Sequence, residues 1–254
     1  MRRSALLLLA TVVFMSTATV ALASSLIGSD EDDVLRGTAQ PDQIYAEGGD
    51  DRVFGGGGGD YLEGGSGIDE LVGGAGLDLI IGGTGADRLD GGLGDDVSYA
   101  GAGPDVVLGG FGNDTLFGQI GDDRVFGGSG NDQIHAGQGR DFADGGAGND
   151  RLTADGDGST LFGGPGRDRI VARGGSMSVR GGGGNDRIRT GAGDDRISGG
   201  SGRDRIRSGA GADRIDVRDG RRDRVRCGSG RDTVRIDRFD VVRDCETRTR
   251  RPIL

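Results

Sequence analysis

The chain has 254 residues, of which 57 are glycine and only 33% are hydrophobic, and its formal net charge is −10. So few apolar residues argue against a thick globular core, and one histidine with two cysteines argues against zinc. Arginine supplies all 31 Lys-plus-Arg positions, unevenly: residues 1–160 hold 8 against 27 acidic groups, a net of −19, and residues 161–254 hold 23 against 14, a net of +9.

Met1-Arg2-Arg3 opens the chain, an apolar run follows from Ala5 to about Val20, and Ala21-Leu22-Ala23 offers a small-residue cleavage site. This predicts a secretory signal peptide over 1–23 and a secreted mature chain from Ser24; uncleaved, the run is long enough to act as an anchor. No second run of that length follows, so no membrane span is expected after cleavage.

From Asp33 to Asp213 an aspartate falls on every ninth residue, and the only two misses in 21 positions are Ser159 and Met177. Two residues after each position stands a large apolar residue, with Ser98 and Ala143 as exceptions; two residues before it stands a glycine from Gly49 onward, broken only by Asp157. Gly-Gly-Ser-Gly-Ile-Asp-Glu-Leu-Val (64–72) is the unit entire. Nine residues bury nothing alone, so the period means one small unit stacked many times. Glycine this dense excludes helix, and the x-apolar-x half reads as a three-residue strand with one side chain inward. Two units per coil would place residues eighteen apart directly above one another, about 4.8 Å between strands.

The pattern Gly-Gly-x-Gly-x-Asp-x-apolar-x resembles the RTX, or haemolysin-type calcium-binding, nonapeptide repeat over residues 28 to about 236. The resemblance implies an all-β parallel β-roll with several Ca²⁺ ions held between turns by aspartate carboxylates and glycine-rich carbonyls. Sorted by alternate repeats, the aspartates form two columns. One is unbroken: Asp42, Asp60, Asp78, Asp96, Asp114, Asp132, Asp150, Asp168, Asp186 and Asp204. The other runs Asp33, Asp51, Asp69, Asp87, Asp105, Asp123 and Asp141, loses Ser159 and Met177, and resumes at Asp195 and Asp213. One continuous and one interrupted calcium row are expected, with Asp155 and Asp157 as partial replacements in the gap. A hard divalent cation taking six to eight oxygens at roughly 2.3–2.6 Å suits Ca²⁺ better than Mg²⁺. At tenfold excess over its dissociation constant each ion contributes about 1.4 kcal/mol, so folding is expected to be metal-coupled, and the calcium-free chain disordered.

Cys227 and Cys245 are eighteen apart, one coil, and an oxidising exterior favours their pairing as a staple on the last coil. The register slips near Arg222 and again between Asp232 and Asp240, and residues 237–254 read as a cap and tail beyond a repeat domain over 24–236. Late repeats place Arg169, Arg187 and Arg205 outward on one face and Arg196 with Arg214 on the other. The plainer reading is a solvated face offsetting nearby aspartates; the alternative is a stripe that recognises a polysaccharide or other acidic polymer. Nucleic acid is disfavoured, because no aromatic interleaving or known motif accompanies the arginines. No enzyme is expected: His135 sits at an outward strand position without a nucleophile, and the repeat itself accounts for the carboxylate pairs. The expected function is that of a secreted calcium-binding repeat protein, structural or adhesive.

Overall fold

The computed structural model describes residues 24–250; the leader expected over 1–23 lies outside them. Twenty-six strands, from β1 (Ser25–Ser29) to β26 (Thr247–Arg250), divide into two parallel sheets of thirteen. Odd-numbered strands form one sheet and even-numbered strands the other, so the chain crosses between sheets at every turn. The result is a parallel β-solenoid of about twelve coils with no helix among the described residues. Register follows the eighteen-residue coil: Leu89 pairs Val107, which pairs Val125, and Leu116 pairs Ile134.

Most strands are longer than the nine-residue pattern suggests. In β12 (Arg124–Ser129) the burial alternates over six residues, placing Val125 and Gly127 inside and Phe126 partly exposed. Period-two alternation also reaches backwards to Asp123, which is buried. Each repeat thus sends three residues inward, namely its aspartate, its apolar residue and the first glycine of the next repeat. The three-residue strand with a single inward side chain is corrected accordingly, because the glycine pair continues the extended backbone before the turn. The second glycine makes the turn: Gly146 has φ 87°, a conformation costly for residues with a Cβ.

The core is a single file of apolar side chains per sheet, among them Leu62, Ile80, Leu116 and Ile134, all fully buried. It thickens toward the C-terminus, where the second inward position passes from Gly or Ala to Thr190, Ser208, Val217, Cys227 and Ile236. There the coil length changes. Arg205 pairs Arg224 after nineteen residues, Arg224 pairs Val241 after seventeen, and Thr233 pairs Thr247 after fourteen. Residues past 236 contribute β25 (Val241–Arg243) and β26, the last strand of each sheet. Cys227 and Cys245 form a disulfide with Cα atoms 5.3 Å apart, joining the last two coils of the odd sheet.

One core position breaks the apolar file. Ser98 lies fully buried in the odd sheet, paired in register with Ile80 and Leu116, and its hydroxyl has no hydrogen-bond partner. An unpaired buried hydroxyl costs about 1–3 kcal/mol. Ser98→Val is therefore expected to stabilise the calcium-loaded protein by about 1–2 kcal/mol, read as a raised thermal midpoint; a lowered midpoint would mean that the site cannot take the extra methyl groups.

Candidate metal-binding edges

The turns stack into two long edges, each carrying one aspartate column. On both, the main-chain N–H of an aspartate donates to Oδ1 of the aspartate one coil further on. Along the unbroken column these bonds run from Asp42 to Asp60 at 2.8 Å, then through Asp78, Asp96, Asp114, Asp132, Asp150, Asp168 and Asp186 to Asp204. The ladder then continues past the register slip, from Asp204 to Asp223 at 2.8 Å and from Asp223 to Asp240 at 3.0 Å.

The second column holds from Asp33 through Asp51, Asp69, Asp87, Asp105 and Asp123 to Asp141. At the first gap Ser159 accepts the Asp141 N–H through its hydroxyl at 3.0 Å and passes its own proton toward the Gly139 carbonyl at 3.2 Å. Met177 is buried and offers no carboxylate, so the ladder breaks between Ser159 and Met177. It resumes from Met177 to Asp195, then to Asp213, Asp232 and Glu246. Neither Asp155 nor Asp157 enters the gap. Both side chains are exposed, and Asp155 is engaged by Arg173 at 3.2 Å.

Asp223, Asp240, Asp232 and Glu246 are ladder members that a strict nine-residue count misses. Their signal is present in Asp-Arg-Val-Arg-Cys (223–227) and Asp-Thr-Val-Arg-Ile (232–236), which keep aspartate and apolar residue two apart while out of phase.

Oδ1 is thus used once per coil, but Oδ2 is not. Nineteen aspartates have a buried Oδ2 with no hydrogen-bond partner, far beyond the few unsatisfied groups expected in a folded protein. No ladder carboxylate makes an ion pair with an arginine among the described residues. Beside the orphaned oxygens of the unbroken column, from Asp60 to Asp186, lies the inward glycine five residues earlier and, from the next coil, a main-chain carbonyl. A Cβ on Gly145 would fall 2.5 Å from Asp150 Oδ2 and 2.6 Å from the Gly163 carbonyl oxygen. Among the described residues no three acidic, histidine or cysteine side chains converge on one point. A cation here must therefore combine carboxylate with main-chain oxygen, a donor set that suits a hard ion such as Ca²⁺.

The two edges differ at that inward glycine. On the unbroken edge it is glycine at Gly55, Gly73, Gly91, Gly109, Gly127, Gly145, Gly163, Gly181 and Gly199. On the interrupted edge glycine stands at Gly28, Gly64, Gly82 and Gly118, but the other equivalent positions are Ala46, Ala100, Ala136, Ala154 and Ala172, then Thr190 and Ser208. Thr190 and Ser208 donate their hydroxyls to the carbonyls of Ser208 and Cys227 in the next coil, filling by hydrogen bond the space that stays open opposite. An outer ladder reinforces the glycine edge, with Asn131 and Asn149 donating their main-chain N–H groups to the side-chain oxygens of Asn113 and Asn131, both at 2.9 Å.

Burial drives the electrostatics. Desolvation pushes the Asp96, Asp105, Asp168 and Asp223 carboxyls up to about 7, and those of Asp69, Asp78, Asp114, Asp123, Asp132, Asp195 and Asp204 up to about 6. A main-chain N–H from the preceding coil pulls each down, while carboxylates stacked above or below push most of them up.

The model of the RTX calcium-binding nonapeptide repeat matches residues 27–62, 63–98, 99–134, 126–161, 153–176 and 180–216. The chain belongs to the RTX calcium-binding repeat family. Its matched segments cover most of the solenoid and stop at 216, inside the first nineteen-residue coil, from Arg205 to Arg224. No curated protein matches the chain. In RTX terms, the aspartate and the first glycine of the nonapeptide are the pair that meet along the unbroken edge here, and no helix among the described residues is long and apolar enough to cross a membrane.

Two expectations follow. Gly145→Ala, on the glycine edge, should destabilise the calcium-loaded protein by about 1–3 kcal/mol. Ala136→Gly, on the other edge, should change it by no more than about 1 kcal/mol, and equal effects in thermal melts would deny that the edges differ. The second concerns pH. Folded pKa values above the usual 3.8 mean that the stacked coils retain protons the unfolded chain has released. Without metal, the stability contributed by these carboxyls is complete below about 3.8 and is lost as the pH rises through 6 to 7. Chelated protein should gain β-structure by circular dichroism on acidification from about pH 7.5 to about pH 5; a flat response would contradict the buried ladder.

Proposed function

We propose that this RTX chain is an exported, non-catalytic calcium-binding rod whose folding is driven by Ca²⁺ seated between stacked turns. The observation that carries this reading is the file of orphaned Oδ2 atoms, which on the unbroken edge lie beside next-coil carbonyls from Asp60 to Asp186. Asp42, Asp60, Asp78 and their successors to Asp204 would hold a continuous row on the glycine edge. The column from Asp33 to Asp141, with Asp195 and Asp213, would hold an interrupted one. Each ion would neutralise the carboxylates it bridges and remove the repulsion that opposes stacking.

Export rests on the leader read over 1–23, and the Cys227–Cys245 disulfide suits an oxidising exterior. Twelve steps of about 4.8 Å give a rod about 58 Å long, with two flat faces, a form suited to a structural or adhesive role. A second reading, recognition of an acidic polymer, is favoured by one observation: the late strands of the odd sheet carry two outward files of arginine, while those of the even sheet carry fewer.

Circular dichroism of residues 24–254 during a Ca²⁺ titration, with Mg²⁺ as control, tests the main reading. A cooperative coil-to-β transition at roughly 10⁻⁴–10⁻³ M Ca²⁺ is expected, with no comparable response to Mg²⁺. A β spectrum indifferent to chelator would sink it.

A further inference from the structure

The arginines of the two sheets are chemically in different states. On the even sheet most outward arginines are engaged. Arg36 lies over the Phe54 ring at 4.3 Å and Arg180 over Phe162 at 5.4 Å, while Arg52 and Arg235 contact Glu70 and Asp216. On the odd sheet the first outward column from β15 (Arg151–Ala154) onward reads Arg151, Arg169, Arg187, Arg205 and Arg224, paired in register coil after coil. The second column, two residues along each strand, reads Arg189, Arg207, Arg226 and Arg243. All nine are exposed. Among the described residues only Arg226 has an acidic partner, Asp244 at 2.9 Å, and no aromatic ring covers any of them. From β7 (Leu79–Thr84) to β25, no odd-sheet strand contains an acidic residue. The nearest aspartates of the ladder, such as Asp186 and Asp204, turn inward and are buried.

Nine arginines on strands about 4.8 Å apart repel one another, and among the described residues the Arg226–Asp244 pair is the one acidic contact that relieves that repulsion. The side chains leave a furrow between them. One stretch of about 290 Å³ lies among Arg169, Arg187, Arg189, Arg205 and Arg207. The next, of about 600 Å³, shares Arg205 and Arg207 and continues to Arg224, Arg226 and Arg243. From Arg169 to Arg243 the furrow crosses five strands of the odd sheet, about 19 Å along the stack.

We propose that this furrow is a binding surface for a linear carboxylated polysaccharide lying parallel to the solenoid axis. The proposal rests on the calcium-folded rod described above and adds its partner. A guanidinium fork matches a carboxylate bidentately, and a rigid coil pitch presents such forks at regular intervals to an extended chain. Duplex DNA fits less well, since each strand carries its phosphates 3.4 Å apart around a cylinder. Single-stranded nucleic acid calls for aromatic platforms. The odd sheet's rings, Tyr99, Phe117 and His135, stack on one another at 4.6 and 4.9 Å and lie outside the arginine stretch.

Binding of the full mature chain to a short oligogalacturonate, at fixed calcium and physiological salt, provides the test, with neutral dextran, DNA in both strand forms and phosphatidylserine vesicles as further probes. Arg187→Gln, Arg189→Gln, Arg205→Gln and Arg207→Gln together should weaken oligogalacturonate binding roughly tenfold or more. Lysine at the same four positions should retain most of it. An even-sheet variant with the same change in charge, R88Q/R124Q/R196Q/R214Q, should bind as the parent does. Equal losses in the two glutamine variants would mean that net charge or bridging calcium does the binding, and would overturn the proposal. So would tighter binding to DNA or to vesicles than to the oligosaccharide, or no binding by protein whose β spectrum is intact. Loss of that spectrum in the parent at millimolar calcium would instead strike at the calcium-folding reading beneath it, and binding unchanged in chelator-unfolded chain would remove the folded face from the explanation.

Discussion

Everything in this molecule follows from placing like charges one coil apart. A carboxylate every eighteen residues, in register and buried, is unfavourable in any medium of low dielectric. The backbone offsets part of that cost by giving one N–H to one oxygen of each group. The other oxygen is left over in nineteen places. With a core one side chain thick and 57 glycines to order, the apolar stack is a weak counterweight to chain entropy. On the function proposed above the fold is conditional: what neutralises the ladder decides whether the ladder exists.

The glycines are better understood as the complement of the aspartates than as flexible punctuation. Gly145 has an ordinary backbone conformation, yet a methyl group there would press on Asp150 and on the Gly163 carbonyl. Its partner edge tolerates Ala136 and Ala154 at the same inward position, and replaces the aspartate itself at Ser159 and Met177. The edge that keeps its carboxylates is the one that keeps its glycines. Where glycine is kept, it and the carboxylate share one small volume; Ala46, Ala100 and Ala136 nevertheless stand before Asp51, Asp105 and Asp141, so the match belongs to the edge as a whole and not to each coil.

Most of the architecture was legible in the residue string. The nine-residue period, the apolar residue two after each aspartate and the eighteen-residue stacking all appear in the register, as in Leu89, Val107 and Val125. The disulfide was legible too, from one coil of separation between Cys227 and Cys245. Two things were not. A three-residue strand follows from treating glycine as turn alone, but Gly127 still obeys the alternation that buries Val125. A fixed period ends the columns at Asp204 and Asp213 because it cannot absorb an inserted residue, whereas the coil accommodates one in the loop before Asp223 and returns to phase. Which arginines have partners lay beyond any periodicity, since it depends on which neighbours share a face. The string shows arginine everywhere in the second half; only the sheets reveal that carboxylates and rings accompany most of one set and leave most of the other bare.

Half a coil is the natural unit of the sequence, but a whole coil is the natural unit of the structure. Strands alternate between sheets at every repeat, so loss or gain of a single nonapeptide acts as a parity operation on everything downstream. Removing nine residues ahead of Arg151 would carry the bare arginine file to the sheet already furnished with acids and aromatic rings. It would also exchange the glycine edge for the alanine edge in mid-rod. Only changes of eighteen residues lengthen or shorten the rod while leaving both faces and both edges intact.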